Sequence, residues 1–493
     1  MAMLGKRRPR RERSGVSGLQ GRQAPQSAPG RQGGADDTAG VIIERLAHDG
    51  RGLAHDAAGK ALFVEGALPG ERVEVAVHRT RKRFDEAHLR EVLEASPERA
   101  EPPCPHYARC GGCDLQHLEV AAQRRHKQAV LRDLLARQGV EVPDEMALLA
   151  GASDGYRRRA RLGVKVDAEG GVHLGFRARH SHRLVDIEQC TILVPELGAL
   201  LAPLHQQVAS LSAPRQVGHL ELLDSDQGPV LVVRQLKPHG EDRGRWEAFA
   251  AGHALHLAWL VGRESPRLEW LTPAPALSCR VPSAADASAV GELTLGFAPG
   301  DFLQANAEVN RQMVTTALQW LTDLEGTPLL DLFAGVGNFS LPLASAGASV
   351  TAVEGSPAMV ERLADNAARH GARLDAGARV PRVESRQADL AQAGAVARLL
   401  DEVGPEVVVL DPPREGAEPA VLALAAARVP RVLYVACDPA TLARDAARLV
   451  HGGYRVTRAA VADMFVHTSH LESMLLFELP GEGQRRQGAS PDG

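Results

Sequence analysis

At 493 residues, the chain is too long for one ordinary domain, since domains commonly hold about 100 to 200 residues. Hydrophobic residues at 44% and charged residues at 24% exclude a disordered or collagen-like chain. No apolar run is long enough to cross a membrane, and the N-terminus lacks the apolar core of a signal peptide, so a soluble cytoplasmic protein is expected. The six cysteines do not spread like a disulfide framework; four of them, Cys104, Cys110, Cys113 and Cys190, form a ligand-like group. A net charge of -4 conceals an asymmetry: residues 1–31 carry eight Lys/Arg against Glu12, or +7, leaving -11 elsewhere.

Residues 1–38 cannot build a core and are expected to be a disordered basic tail that suits nonspecific phosphate contact. From 39 to 95 short alternating strands (Val41 to Ala47, Gly50 to Ala54, Ala61 to Val64, Val73 to Val77) predict a small β-barrel. Its strand at Val73 runs into the basic stretch Arg79 to Arg83 and then Phe84, a pattern that fits phosphate contact beside base stacking. Residues 96–300 predict a β-rich central domain with a helix over Ala121 to Gly139 and a hairpin from Tyr156 to Arg179. That hairpin region is strongly basic, with Arg157, Arg158, Arg159, Arg161, Lys165, Arg177, Arg179 and Arg183. A second strand pair, Leu220 to Leu223 and Val230 to Leu236, turns at Asp226-Gln227-Gly228.

From 301 to 480 strands alternate with helices, which predicts an α/β Rossmann-like domain with a mostly parallel sheet. The strands are Leu329 to Phe333, Val350 to Glu354, Val383 to Asp389, Val407 to Asp411, Val432 to Ala436 and Leu471 to Leu479. Pro357 to His370 and Pro439 to His451 read as helices, and 481–493 as a disordered tail. In such folds ligands bind at the carboxyl ends of the strands. There Gly335 and Gly337 follow the first strand, but position 340 is Ser, so the full dinucleotide fingerprint is absent and a cofactor without pyrophosphate is favoured. Glu354 ends the next strand, where a carboxylate can accept ribose hydroxyls, and Asp389 follows the third, placed to meet an adenine; together they point to S-adenosylmethionine. Asp411-Pro412-Pro413-Arg414 puts a carboxylate on a loop stiffened by two prolines. Cys437 lies between a strand end and a helix whose N-cap is Asp438 and whose first residue is Pro439, a position that favours the thiolate.

Such a thiol explains a difficult alkylation. Carbon 5 of uracil is too weak a nucleophile to take a methyl group unaided, whereas sulfur addition at carbon 6 creates an enolate that can attack. The carbon 5 proton must then be removed by a base. Glu472 is the carboxylate near the last strand, with His467 and His470 as rivals.

These motifs resemble those of the RNA (uracil-5-)-methyltransferase family over about residues 41–480. By resemblance Cys437 is the nucleophile and Glu472 the base, while Gln304, Phe333, Asn338, Glu354, Asp389 and Asp411 line the S-adenosylmethionine site. At Asp389 the family pattern leads one to expect an amide. The N-terminal barrel resembles a TRAM domain. Cys104, Cys110, Cys113 and Cys190 resemble the [4Fe-4S] site of the ribosomal RNA members; on chemistry alone zinc competes, with His106 and His117 as substitute ligands. The resemblance implies a monomeric enzyme without a protein partner, methylating a uridine of 23S ribosomal RNA, by analogy uridine 1939. Methylation of another 23S or transfer RNA uridine, a noncatalytic RNA-binding assembly factor and an iron-sulfur electron carrier are the competing functions.

Overall fold

The computed structural model describes residues 40–284, 291–371 and 382–480; both tails expected from composition lie outside these residues. Near the N-terminus six short strands form one sheet. Arg72–Thr80 pairs with Phe84–Glu94, which runs parallel to Ala61–Glu65, and Gly52–His55 and Arg45–Leu46 complete that side. Alternate residues point inward, so Ile43, Leu62, Val64, Val73 and Ala87 share one core. Glu71 is fully buried and fastens the barrel to the next segment, accepting from Leu68 N (2.8 Å), Ser96 N (3.2 Å) and Arg99 Nε (2.5 Å). Phe84 is half-buried, edge-on to Phe63 at 5.4 Å, so it belongs to the barrel wall more than to a free stacking surface.

A seven-stranded sheet follows, and the predicted hairpin is its Arg159–Val166 and Val172–Arg177 pair. Val217–Leu223 and Val230–Gln235 continue it, the latter parallel to His256–Val261 through a crossover containing the helix Gly240–Gly252. Helix Leu201–Ser210 and Trp246 cover the apolar face. The basic side chains of the hairpin do not behave alike. Lys165, Arg177 and Arg183 are exposed, but Arg158 is buried, and Arg159 and the exposed Arg161 both pair with Glu221.

The C-terminal strands are β1 (Pro328–Leu332), β2 (Ser349–Glu354), β3 (Arg382–Gln387), β4 (Val407–Leu410), β5 (Arg431–Ala436), β6 (Arg455–Ala462) and β7 (Glu472–Glu478). They align in the order β3-β2-β1-β4-β5-β7-β6, with β7 antiparallel to both neighbours and the others parallel from β3 to β5. Order reverses between β1 and β4, which leaves a crevice at their carboxyl ends. All four residues of β4 are buried, as expected for an apolar strand covered on both faces. One covering layer contains the helices Ala395–Val403, Glu418–Ala427 and Pro439–His451, and the other Ala307–Trp320, Ser340–Ser345 and Pro357–Gly371.

The N-terminal half also reaches into this core. Helix Val120–Arg137 contributes Leu131 and Leu135 to the first layer, and Ala147–Leu149 adds an eighth, parallel strand beside β6. Among the described residues no helix is long and apolar enough to cross a membrane.

Candidate active site

The turn after β1 is built for close approach. Gly335 and Gly337 adopt φ of 59° and 103°, and a Cβ on Gly337 would lie 2.4 Å from Leu341 Cδ1. Phe333, an aromatic residue, also has positive φ, 67°. Such a conformation is costly for a bulky residue and persists where the surroundings over-determine it. Glu354, at the end of β2, accepts from Gly335 N (3.1 Å) and Ser356 N (2.8 Å), so its carboxylate is fixed against the glycine turn.

A cavity at the ends of β1 and β4 brings together Gln304, Phe333, Asn338 and Asp411. Arg158 lines it too, donating from Nε to Gln304 O at 2.8 Å, so this arginine serves the cavity and is withdrawn from the basic surface. Asn338 exchanges two amide hydrogen bonds with Asn310 (2.9 and 3.0 Å), which fixes its orientation. Asp389 is elsewhere: it is exposed beyond β3, accepts from Ala391 N at 3.1 Å and does not line the cavity.

Cys437 follows directly on β5. Asp438 caps the next helix by accepting from Ala440 N (3.0 Å) and Thr441 N (2.9 Å), with Pro439 as its first residue, in agreement with the sequence. The ladder ends with Ala436 paired to Ser473, which brings Cys437, the next residue, near Glu472 at the start of β7. Glu472 is 3% exposed. Burial and the nearby Asp411 carboxylate push it well above the usual carboxylate range, opposed by Arg414. Burial, then Glu472 and Asp411, push the Cys437 thiol up to about 11, again opposed by Arg414. The thiolate expected from the helix N-terminus is thus not favoured in the free protein, because loss of hydration and two carboxylates outweigh the helix end. Asp411 is pushed up to about 7 by burial and Asp331; Asp331 is raised to about 7 by burial and Glu354, while a hydrogen bond from Ser340 Oγ at 2.5 Å pulls the other way.

Among the described residues neither rival histidine is hydrogen-bonded to Cys437 or Glu472, although burial and then Arg414 lower the pKa of His470. His467 Nδ1 lies 3.2 Å from Gln123 Nε2, and its Nε2 is 3.7 Å from Asp154. His470 is exposed, edge-on to Phe465 at 5.9 Å.

Cys104, Cys110, Cys113 and Cys190 line a second cavity, of about 240 Å³, and none forms a disulfide. Burial pushes Cys113 up to about 12 and raises Cys110 and Cys190 as well, so neutral thiols prevail without a cation. Arg157, Arg177 and Tyr107 also line it, and behind them Arg179 donates to Cys113 O at 2.7 Å and lies over Tyr107 at 4.5 Å. Among the described residues no group of three or more His, Cys, Asp or Glu is drawn together as a metal site. His106 and His117 do not line the cavity, and His117 Nδ1 is 2.6 Å from Tyr107 Oη.

Sequence reasoning missed Asn310, the burial of Arg158, and the turn before β7 with its partners Asp114 and Gln123. Their partners lie far away in the chain, 344 and 355 residues for Gln123 and Asp114, so no local pattern marks them.

The strand order and the acid-ended β2 beside a glycine turn define the S-adenosylmethionine-dependent methyltransferase class. Residues 291–479 match the tRNA (Uracil-5-)-methyltransferase family, and residues 37–89 match the TRAM domain. A 23S rRNA (uracil(1939)-C(5))-methyltransferase RlmD from Halomonas elongata is 60% identical, with 100% of each chain covered. Its counterpart from Chromohalobacter salexigens is 55% identical, covering 97% of this chain and 95% of that one. The fold is shared with the Pyrococcus abyssi tRNA (uracil-54, C5)-methyltransferase in complex with S-adenosyl-L-homocysteine, at 22% identity and a TM-score of 0.65, over 88% of this chain and 99% of that one. The chain belongs to the family of RlmD-type 23S rRNA (uracil-C5)-methyltransferases.

Proposed function

We propose that this protein transfers a methyl group from S-adenosylmethionine to carbon 5 of uridine 1939 in 23S ribosomal RNA, the position named for its 60% identical relative. The observation that carries the chemistry is that Cys437 leaves β5 just where its ladder with β7 ends at Ala436–Ser473, close enough to the buried Glu472 and to Asp411 for both carboxylates to raise its thiol. S-adenosylmethionine supplies the electrophilic methyl and a positive charge that favours the ionised forms of these acids. Gln304, Phe333, Asn338 and Asp411 hold it, with Glu354 fixed against the adjoining glycine turn, while Asp389, outside the cavity, takes no part.

In this mechanism Cys437 Sγ bonds to carbon 6 of the uracil ring, and the electron pair displaced from the carbon 5–carbon 6 double bond forms an enolate. Carbon 5 takes the methyl group as the sulfonium's sulfur–methyl bond breaks, and S-adenosylhomocysteine is left as the neutral thioether. Glu472 then removes the carbon 5 proton, the double bond reforms and the sulfur–carbon bond breaks, returning the thiolate. The raised pKa of Glu472 makes its carboxylate a stronger base than an exposed one. Arg414 opposes the upward shifts of both groups and so favours the ionised state that each step needs.

Four cysteines around one cavity, rather than at one point, suit a [4Fe-4S] cluster better than a single zinc ion. Cys104, Cys110, Cys113 and Cys190 would hold it in a structural role. The proposed enzyme is cytoplasmic and monomeric and needs no protein partner. Mapping 5-methyluridine in 23S ribosomal RNA from cells with and without the gene tests the assignment: the modification at position 1939 disappears and returns with the intact gene. Unchanged modification refutes it.

A further inference from the structure

Residues 463–471 join β6 to β7, and the N-terminal half grips this turn at several points. Lys127 and Arg124, on helix Val120–Arg137, donate to the buried Asp463 at 2.7 and 2.9 Å, and Lys127 also donates to Phe465 O at 2.9 Å. Gln123 accepts from His467 N at 2.9 Å while its amide donates to Leu118 O at 2.7 Å. The cysteine loop closes the grip. Asp114 N and Leu115 N donate to His467 O at 3.0 and 2.9 Å, and the Asp114 carboxylate accepts from Ser469 N (2.7 Å) and Ser469 Oγ (2.8 Å). His467 is held at a φ of 67°, a left-handed conformation uncommon for a non-glycine residue.

Glu472 lies three residues beyond Ser469 and is the first residue of β7. It pairs with Ala462 on one side, but on the other the ladder ends at Ala436, because Cys437 departs toward its helix. A carboxylate at the end of a ladder is fixed by the sheet on one side only. The turn that delivers it must supply the remaining constraint.

We propose that Asp114 is a positioning residue for proton removal: its two hydrogen bonds to Ser469 latch the turn that aims Glu472 at carbon 5. This rests on the assignment of Glu472 as the base. Asp114 directly follows Cys113, so the loop that presents a thiol to the four-cysteine cavity also sets the base.

Asp114→Ala, Asp114→Asn, Ser469→Ala and Glu472→Gln are to be compared in single turnovers with an RNA fragment and labelled S-adenosylmethionine, following formation and release of the covalent adduct. Formation should stay near wild type. Release should slow by about 10- to 100-fold in Asp114→Ala, the scale of a misplaced catalytic group. Ser469→Ala, which loses one hydrogen bond, should release about 3- to 10-fold more slowly. Asp114→Asn keeps one acceptor oxygen and should recover much of the loss, with iron content and S-adenosylmethionine binding unchanged throughout. If folded Asp114→Ala and Ser469→Ala release at the wild-type rate, or if formation slows as much as release, the latch is refuted. Should Asp114→Ala fail to fold, Ser469→Ala decides, since it leaves the cysteine loop intact. Absence of adduct in Glu472→Gln alone would instead refute the base assignment, and the latch with it.

Discussion

Cys437 and Glu472 lie next to the last pair of one ladder but act at opposite ends of one cycle, so their substitutions should fail differently. Cys437→Ala should abolish both methylation and the covalent adduct. Glu472→Gln still permits addition and methyl transfer, but an amide cannot take the carbon 5 proton, so a methylated, denaturation-resistant protein–RNA complex should accumulate. A retarded radioactive band on a denaturing gel detects it; normal turnover by Glu472→Gln would move the base elsewhere. The thiol at about 11, against an ordinary 9.0, has a further consequence. The reactive form is the deprotonated one, so kcat/KM should rise with pH and still be rising at about pH 9, where an unshifted thiol would begin to level off. Asp331 gives the complementary effect on stability. Its folded pKa of about 7 lies above the usual 3.8, so its contribution is full below about 3.8 and is lost as pH rises to about 7. Asp331→Asn still accepts from Ser340 and should reduce the loss of stability between about pH 4 and 8 by at most about 4 kcal/mol, measured by chemical denaturation at both pH values.

Among the elements, the hairpin of Arg159–Val166 and Val172–Arg177 separates charge that is free from charge that is used. Neutralising the exposed Lys165, Arg177 and Arg183 should weaken RNA binding and flatten its salt dependence by about 0.7 to 0.9 in the log-log slope for each phosphate left without its cation. An unchanged slope would place the RNA on another face. Arg158→Ala should instead impair S-adenosylmethionine binding, because it removes a buried wall of the cavity. Elements with local signals were legible in the sequence. The helix after Cys437 begins and ends where its cap, Pro439 and amphipathic spacing indicate. β6 was missed because its first half is largely exposed and polar, Arg455 to Arg458, and so lacks a buried strand's continuous apolar run. The antiparallel entry of β7, which brings Glu472 near Cys437, depends on tertiary pairing, so position at the last strand leaves Glu472 in competition with His467 and His470, and the family resemblance singles it out. Arg158 shows the same limit, since nothing in a run of arginines tells which one meets a carbonyl 146 residues away.

For the whole molecule, anaerobically purified protein should contain iron and inorganic sulfide with broad visible absorption. Stoichiometric zinc without sulfide would overturn the cluster while leaving the methyltransferase assignment intact. Removing iron with a chelator should lower the thermal midpoint, since the four thiols span the loop at Cys104–Cys113 and the distant Cys190. The layer shared by helix Val120–Arg137 and the late strands also bears on how the chain is made. Leu131 and Leu135 leave the ribosome more than 300 residues before their partners Leu449 and Phe477 exist. At about 5 to 20 residues per second that is roughly 15 to 60 s during which an apolar helix face waits uncovered. A ribosome stalled late in the message would therefore release a chain whose first described helix has only its near neighbours, such as Val140 and Met146, to pack against.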